Sequence, residues 1–354
     1  MLETLNFEVE KIAKSKIDQV DFSNLPFGKI FSDHMLVAEY SDGEWKNVKL
    51  GPYQPISFEP SLAALHYGQS IFEGLKAYRN QQGEAVVFRP EANFERFNIS
   101  AKRMCMPEVP EEIFMKGMAQ LIDLDKNWIP NEEGFALYIR PFMFSTDEFI
   151  GVRPSASYKF IIFTCPVGAY YSQPVKVKFE TEYSRSCEGG IGFAKAAANY
   201  GASMYPTQLA QQQGFDQVIW TDASEHEYIE ESGVMNVMFV IDGVLVTPPA
   251  KDTILKGITR DSVLTVARDW GMKVDERKVS IAEVIKAIEE GRLTEAFGVG
   301  TAAVVSHIAE ITYKDKKYTL PEVASRDFSN KVYRELDDIK TGKKADTRVW
   351  VYKV

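Results

Sequence analysis

Residues 166–174 read PVGAYYSQP, a stretch dense in Gly, Pro, Tyr and Ser between two apolar, strand-like runs. Such a composition continues neither strand nor helix, so it reads as a linker that divides the chain into two folding units. We expect a smaller first domain over 1–168, the linker over 169–175 and a larger second domain over 176–354. A chain of 354 residues is long enough to give each unit a core of its own.

The first part is rich in strands. MLVAEYSDGEWKNVKL (35–50) alternates around Asp42-Gly43 and predicts a hairpin. A short helix over 61–70 and the strands GLKAYR and EAVVFRP come next. They are followed by helices over 91–105 and 110–127 and by the strands FALYIRPFMFS (135–145) and YKFIIFTCPV (158–167). Strands grouped around a helical pair indicate α+β rather than strict alternation.

The second part opens with strand VKVKFE, a helix over 201–213 stopped by Gly214, and strand DQVIWTD. A second hairpin turns at Asp242-Gly243, and a helix spans 257–270. Ser280 and Glu283 form a capping box for the next helix. One long strand, TEAFGVGTAAVVSHIAEI, and a helix near 321–339 close the chain.

The 41 basic and 50 acidic residues give a net charge of −9, which argues against a general nucleic-acid surface but leaves room for a local anion pocket. Cys105, Cys165, Cys187 and the four histidines, His34, His66, His226 and His307, show no metal-ligand spacing. We therefore expect no metal and a reduced, cytoplasmic setting. The N-terminus has no apolar leader, and no run approaches ~18 uninterrupted apolar residues, so no membrane span is expected.

Five stretches carry chemistry. GFAKAAANYG (192–201) sets Lys195 among alanines, with Tyr200 five residues on. Alone it reads better as a surface helix, since Ala and Lys both favour helices. The sharper alternative is a desolvated amine able to attack a carbonyl. YIEESGVMNVMFV (228–240) places Glu230 and Glu231 at the mouth of an apolar strand, where a carboxylate suits a protonated ring nitrogen and also suits a solvated turn.

LKGITRDSV (255–263) opens a helix after Gly257, with N–H groups ready for an anion, as at any Gly-led helix start. In FGVGTAAVV (297–305), Gly298 and Gly300 precede Thr301, marking either a close backbone approach or a twisted strand. Arg89 ends a strand before Pro90, where a guanidinium could grip a phosphate or simply lie at the surface. The five together are far more specific than any one of them.

The ordered set FEGLKAYR, FRP, YIRP, CPVGAYY, AKAAANYG, EESGVMN, LKGITR and FGVGTA resembles the branched-chain amino-acid aminotransferases, over roughly residues 30 to 310. The resemblance implies the two-domain class IV pyridoxal-phosphate fold, like that of D-amino-acid aminotransferases, with an α/β first domain and a pseudo-barrel in the second. It implies pyridoxal 5′-phosphate bound as a Schiff base on Lys195. Glu231 would meet the ring nitrogen and Tyr200 the ring oxygen, and Arg89, Ile258, Thr259 and Thr301 the phosphate. Tyr67, Phe72, Tyr138 and Tyr170 would form an apolar and aromatic substrate wall. Arg140 would lie near the glutamate side-chain carboxylate, and the backbone at Thr301, Ala302 and Ala303 would hold the α-carboxylate.

The implied reaction moves the amine of L-leucine, L-isoleucine or L-valine to 2-oxoglutarate. A D-amino-acid aminotransferase or an aminodeoxychorismate lyase of the same fold is the alternative. A homodimer is also implied, with the loop at Ile150, Gly151 and Val152 reaching the partner's site. Three positions depart from some relatives. Ala303 and Ser306 stand where those carry a redox CxxC pair, and Val234 replaces a hydroxyl residue.

Overall fold

The computed structural model describes residues 7–168 and 173–354. Contacts divide the chain into Met1–Tyr170 with Ala194–Ala198 and Asp338–Val354, and Tyr171–Phe193 with Asn199–Asp337. This differs from the expected assignment of all of 176–354 to one domain. Ala196 bridges Ile71, and the chain's last strand, Val351–Lys353, pairs with Val86–Phe88, so both segments group with the first unit. Most of the expected linker, Tyr170 included, lies outside the described residues.

The first unit is built on one sheet. Its strands are β1 Glu8–Val9, β2 His34–Ser41, β3 Glu44–Pro52, β4 Ser70–Phe72, β5 Leu75–Arg79, β6 Ala85–Phe88, β7 Ala136–Ser145 and β8 Tyr158–Val167, plus the C-terminal strand. They lie in the order β1-β3-β2-β8-β7-β5-β6-C-terminal strand, with β4 on β7. The predicted hairpin forms because Asp42 (φ 57°) and Gly43 (φ 85°) adopt the left-handed turn that matches strand twist. Helices α1 Ala63–Tyr67, α2 Pro90–Arg103 and α3 Gly117–Leu124 accompany the sheet.

The helix expected over 110–127 is interrupted. Glu112–Lys116 makes a π-turn before α3, and a 3-10 turn at Lys126–Trp128 follows it. Ile113, Phe114 and Met115 are all buried in succession, side chains that a regular helix would spread over about 200° of its surface. Phe114 packs with Phe97 and Phe160, at ring separations of 5.6 and 5.9 Å.

The second unit contains α4 Ala197–Gln212 from Asn199 on, and its strands are β9 Val175–Phe179, β10 Gln217–Thr221, β11 Ile229–Ser232, β12 Met235–Ile241, β13 Val244–Thr247, β14 Val274–Glu276, β15 Leu293–Gly300, β16 Val304–Tyr313 and β17 Lys316–Thr319. The order β11-β10-β9-β16-β15-β12 closes through β11–β12 pairing into a six-stranded barrel, which is the expected pseudo-barrel. In β9 the lysines alternate with buried Val175, Val177 and Phe179. Every residue of β12 is buried, as a strand covered on both faces requires. Helices α5 Ile258–Asp269, α6 Ile281–Glu289 and α7 Asp327–Lys340 complete the order. The Ser280 side chain accepts from Glu283 N–H at 3.1 Å, which is the N-cap half of the predicted capping box, while the Glu283 carboxylate pairs with Arg277 instead of turning back to the cap.

Two expectations here are corrected. The long strand expected over 294–311 is the hairpin β15–β16, because the backbone reverses at Thr301–Ala303 and Gly300 pairs with Val304. The helix expected over 201–213 begins at Ala197, where two alanines extend it toward Lys195. Among the described residues, no helix is long and apolar enough to cross a membrane.

Candidate active site

In the first unit, Lys195 is half-buried between Ala194 and Ala196, both fully buried. Its backbone is clamped on both sides. The N–H donates to Ser100 Oγ on α2 at 2.9 Å, and the carbonyl accepts from Phe72 N–H on β4 at 3.1 Å. The ammonium lies 4.8 Å from the Phe72 ring centroid. The lysine therefore belongs to a packed, extended segment just before α4, not to a surface helix.

Next to Phe72 stands Glu73, fully buried. It accepts from Arg96 Nε at 2.7 Å, Arg96 Nη2 at 2.8 Å and Asn93 Nδ2 at 2.8 Å. Burial alone would raise its carboxyl, but the Arg96 guanidinium, Lys195 and Asn93 outweigh that and hold it below the usual value. Nothing in the motif FEGLKAYR announced this pair, because its arginine lies 23 residues away on α2.

The other expected residues of this unit fall into three places. Arg140 on β7 donates to the Tyr138 hydroxyl at 3.0 Å, and its guanidinium lies 4.5 Å from the Phe72 centroid. Its buried Nε has no hydrogen-bond partner. A Cβ at residue 74 would overlap the Tyr138 hydroxyl, so Gly74 is the residue that lets this tyrosine in. Arg89 caps α2 in a left-handed conformation (φ 51°) with its guanidinium 5.1 Å from the Trp350 ring centroid. Tyr67 ends α1 and is 41% exposed.

In the second unit, Glu231 is buried on β11. Arg185 Nη1 lies 2.8 Å from its Oε2, and Asn236 Nδ2 donates to its Oε1 at 3.0 Å. Asn236 is the cross-strand neighbour of Glu231 and also donates to Leu255 O at 2.9 Å. That carbonyl lies just before Gly257, the N-cap of α5, where an added Cβ would overlap Asn236 Oδ1. One asparagine thus ties a buried carboxylate to a helix start whose cap brings no side chain. Ile258 and Thr259 open that helix, both buried.

Tyr200 lies in the first turns of α4, and Thr301, Ala302 and Ala303 form the β15–β16 turn. Val234, 46% exposed, sits in the turn between β11 and β12. Sequence reasoning missed Arg185 and Asn236. The lone Asn236 in the apolar run MNVMFVI was a usable signal, because a buried amide demands partners. Arg185 lies in a loop and gave none.

These residues fit pyridoxal 5′-phosphate in their chemistry. A buried carboxylate with fixed partners suits a ring nitrogen, and an uncapped helix start suits a phosphate. The sequence profile of class IV amino-transferases matches residues 70–311. Branched-chain-amino-acid aminotransferase 2 of Bacillus subtilis is 44% identical over 356 residues, covering 99% of this chain and 97% of that protein. Branched-chain-amino-acid transaminase 1 of the same organism is 44% identical over 342 residues, covering 95% and 96%. The structure of a branched-chain aminotransferase from Thermoproteus uzoniensis with norvaline superposes with a TM-score of 0.75 at 26% identity, covering 90% of this chain and 99% of that one. The barrel, the profile match and identity spread along nearly the whole chain together make this protein a class IV aminotransferase of the branched-chain-amino-acid aminotransferase family.

Proposed function

We propose that this aminotransferase moves the amino group of L-leucine, L-isoleucine and L-valine to 2-oxoglutarate, giving branched-chain 2-oxo acids and L-glutamate, with pyridoxal 5′-phosphate as cofactor. The observation that carries the reading is the Arg185–Glu231–Asn236 cluster with its tie to the start of α5. It joins two features the cofactor needs, a carboxylate for the ring nitrogen and N–H groups for the phosphate. The Thermoproteus aminotransferase was crystallised with norvaline, an unbranched aliphatic amino acid, and this supports an aliphatic substrate.

The bound cofactor would supply an electron sink for charge developing at the substrate Cα. The chain would do the rest. Lys195 would carry the cofactor and move the proton at the substrate Cα, as base and then as acid. Glu231 would keep a proton on the ring nitrogen, with Arg185 and Asn236 fixing the carboxylate for that task. Tyr200 would donate to the ring oxygen. Arg89, the backbone N–H groups of Ile258 and Thr259, and Thr301 would hold the phosphate.

Tyr67, Phe72, Tyr138 and Tyr170 would shape the aliphatic pocket, while Arg140, already aimed by Tyr138, would receive the second carboxylate of glutamate. The turn at Thr301, Ala302 and Ala303 would bind the α-carboxylate. Ile150 and Val152, 61% and 92% exposed, support a homodimer in which this loop meets a second copy. The cytoplasm is the proposed setting, in keeping with three free cysteines.

The test is a panel of L-amino acids with 2-oxoglutarate, read as L-glutamate formed by the purified protein. Leucine, isoleucine and valine should react, and Lys195→Ala should show no turnover. Transamination of D-alanine with L-leucine ignored would overturn the reading in favour of a D-amino-acid aminotransferase.

A further inference from the structure

Glu230 and Glu231 are consecutive on β11, so their side chains leave the strand on opposite faces. Glu231 has Arg185 and Asn236. Glu230 instead forms part of the wall of a cavity of about 700 Å³ within the second unit, a volume typical of small-molecule sites. Glu230 is 6% exposed, and its buried Oε2 has no hydrogen-bond partner. Burial pushes its carboxyl up to about 7, against the opposing pull of a hydrogen bond with Thr253, and Glu231 adds to the rise. A buried carboxyl left half-bonded is costly, and the barrel strand has no packing need for it.

The other charged groups around the cavity set the class of ligand. Glu188, Asp222, Glu225 and Asp252 join Glu230, giving five carboxyl groups against Lys251 and Lys278. That excess rules against an anion. Among the described residues, no three His, Cys, Asp or Glu side chains converge as a metal site would need. Lys278 lies 5.0 Å from the Tyr228 ring centroid, which leaves it poorly placed to receive a carboxylate from a zwitterion. Between the charges the wall includes the hydrocarbon of Pro248, Pro249 and Ile254.

We propose that this cavity binds an aliphatic di- or polyamine, with one ammonium group on Glu230, the hydrocarbon chain along Pro249 and Ile254, and a second ammonium group near Asp252. Binding couples to a proton. A protonated Glu230 carboxyl meeting an alkylammonium ion becomes a carboxylate–ammonium pair and releases one proton to solvent. This site is separate from the transamination chemistry and does not depend on it.

Titration calorimetry of the holoenzyme with spermidine at pH 6.5, in two buffers of different ionisation enthalpy, tests the assignment. The expected result is saturable binding with roughly three-quarters of a proton released per site, since a group titrating at about 7 is mostly protonated at that pH. Glu230→Gln should weaken binding by at least about tenfold and abolish the buffer dependence. Asp252→Asn, at the exposed rim, should weaken it about two- to fivefold and keep the proton release. Absence of saturable binding, heats independent of buffer in the wild type, or unchanged affinity in Glu230→Gln would each overturn the proposal.

Discussion

Replacing Glu73 with alanine isolates the most deeply buried charge beside Lys195. The carboxylate is fully buried and carries three side-chain hydrogen bonds of 2.7–2.8 Å, two of them from Arg96. Arg96 is itself only 7% exposed. Summing the bonds at ~1.5–3 kcal/mol each would overstate the loss, because they share one carboxylate and its desolvation. Removing one partner of a buried pair and stranding the other costs about 3–5 kcal/mol. At about 2–4 °C per kcal/mol for a unit of this size, the melting temperature should fall by about 6–20 °C.

The double variant Glu73→Leu/Arg96→Met should recover much of that loss, since it buries no unpaired charge. The pH dependence has a defined sign. Glu73 is held below its unfolded value of 4.5, so its stabilisation is complete above about 4.5 and is lost as pH falls through the folded value. The gap between wild type and Glu73→Ala should therefore narrow on acidification. Scanning calorimetry with excess cofactor measures all three effects. A cost under about 1 kcal/mol, or single-variant costs that simply add in the double variant, would refute the reasoning.

Glu230→Gln should act in the opposite direction. A carboxyl raised from 4.5 to about 7 destabilises the fold progressively from about pH 4.5 to 7, by about 3 kcal/mol at full effect and nearer 2 with cavity solvent screening. The variant should therefore be more stable than wild type at pH 8 and equal to it near pH 4, by urea denaturation; equal stability at pH 8 would contradict this. Gly257→Ala should cost about 1–3 kcal/mol, because the new Cβ must displace Asn236 from Glu231, and cofactor retention on dialysis should fall with it. Tyr138→Phe removes the hydrogen bond that aims Arg140, so KM for 2-oxoglutarate should rise about fivefold, for about 1 kcal/mol, with KM for leucine little changed. An equal rise in both constants would place Arg140 away from the glutamate carboxylate.

Short-range chemistry was sufficient for much of this chain. The turns at Asp42-Gly43 and Asp242-Gly243, the Ser280 cap and the strands β8 and β9 depend on neighbours within a few positions, and they stand where the residues predict them. The family motifs were legible too, because each is a short, contiguous string. What those residues touch was not legible. Glu73 finds Arg96 across 23 residues, and Arg185 finds Glu231 across 46, through contacts that only a finished sheet or barrel can create. The reversal at Thr301–Ala303 and the return of Val351–Lys353 to the first sheet likewise depend on which strand is available to pair. Nor does local composition separate a surface lysine in an alanine run from Lys195 as it stands, clamped between Ser100 and Phe72; long-range hydrogen bonds make that distinction.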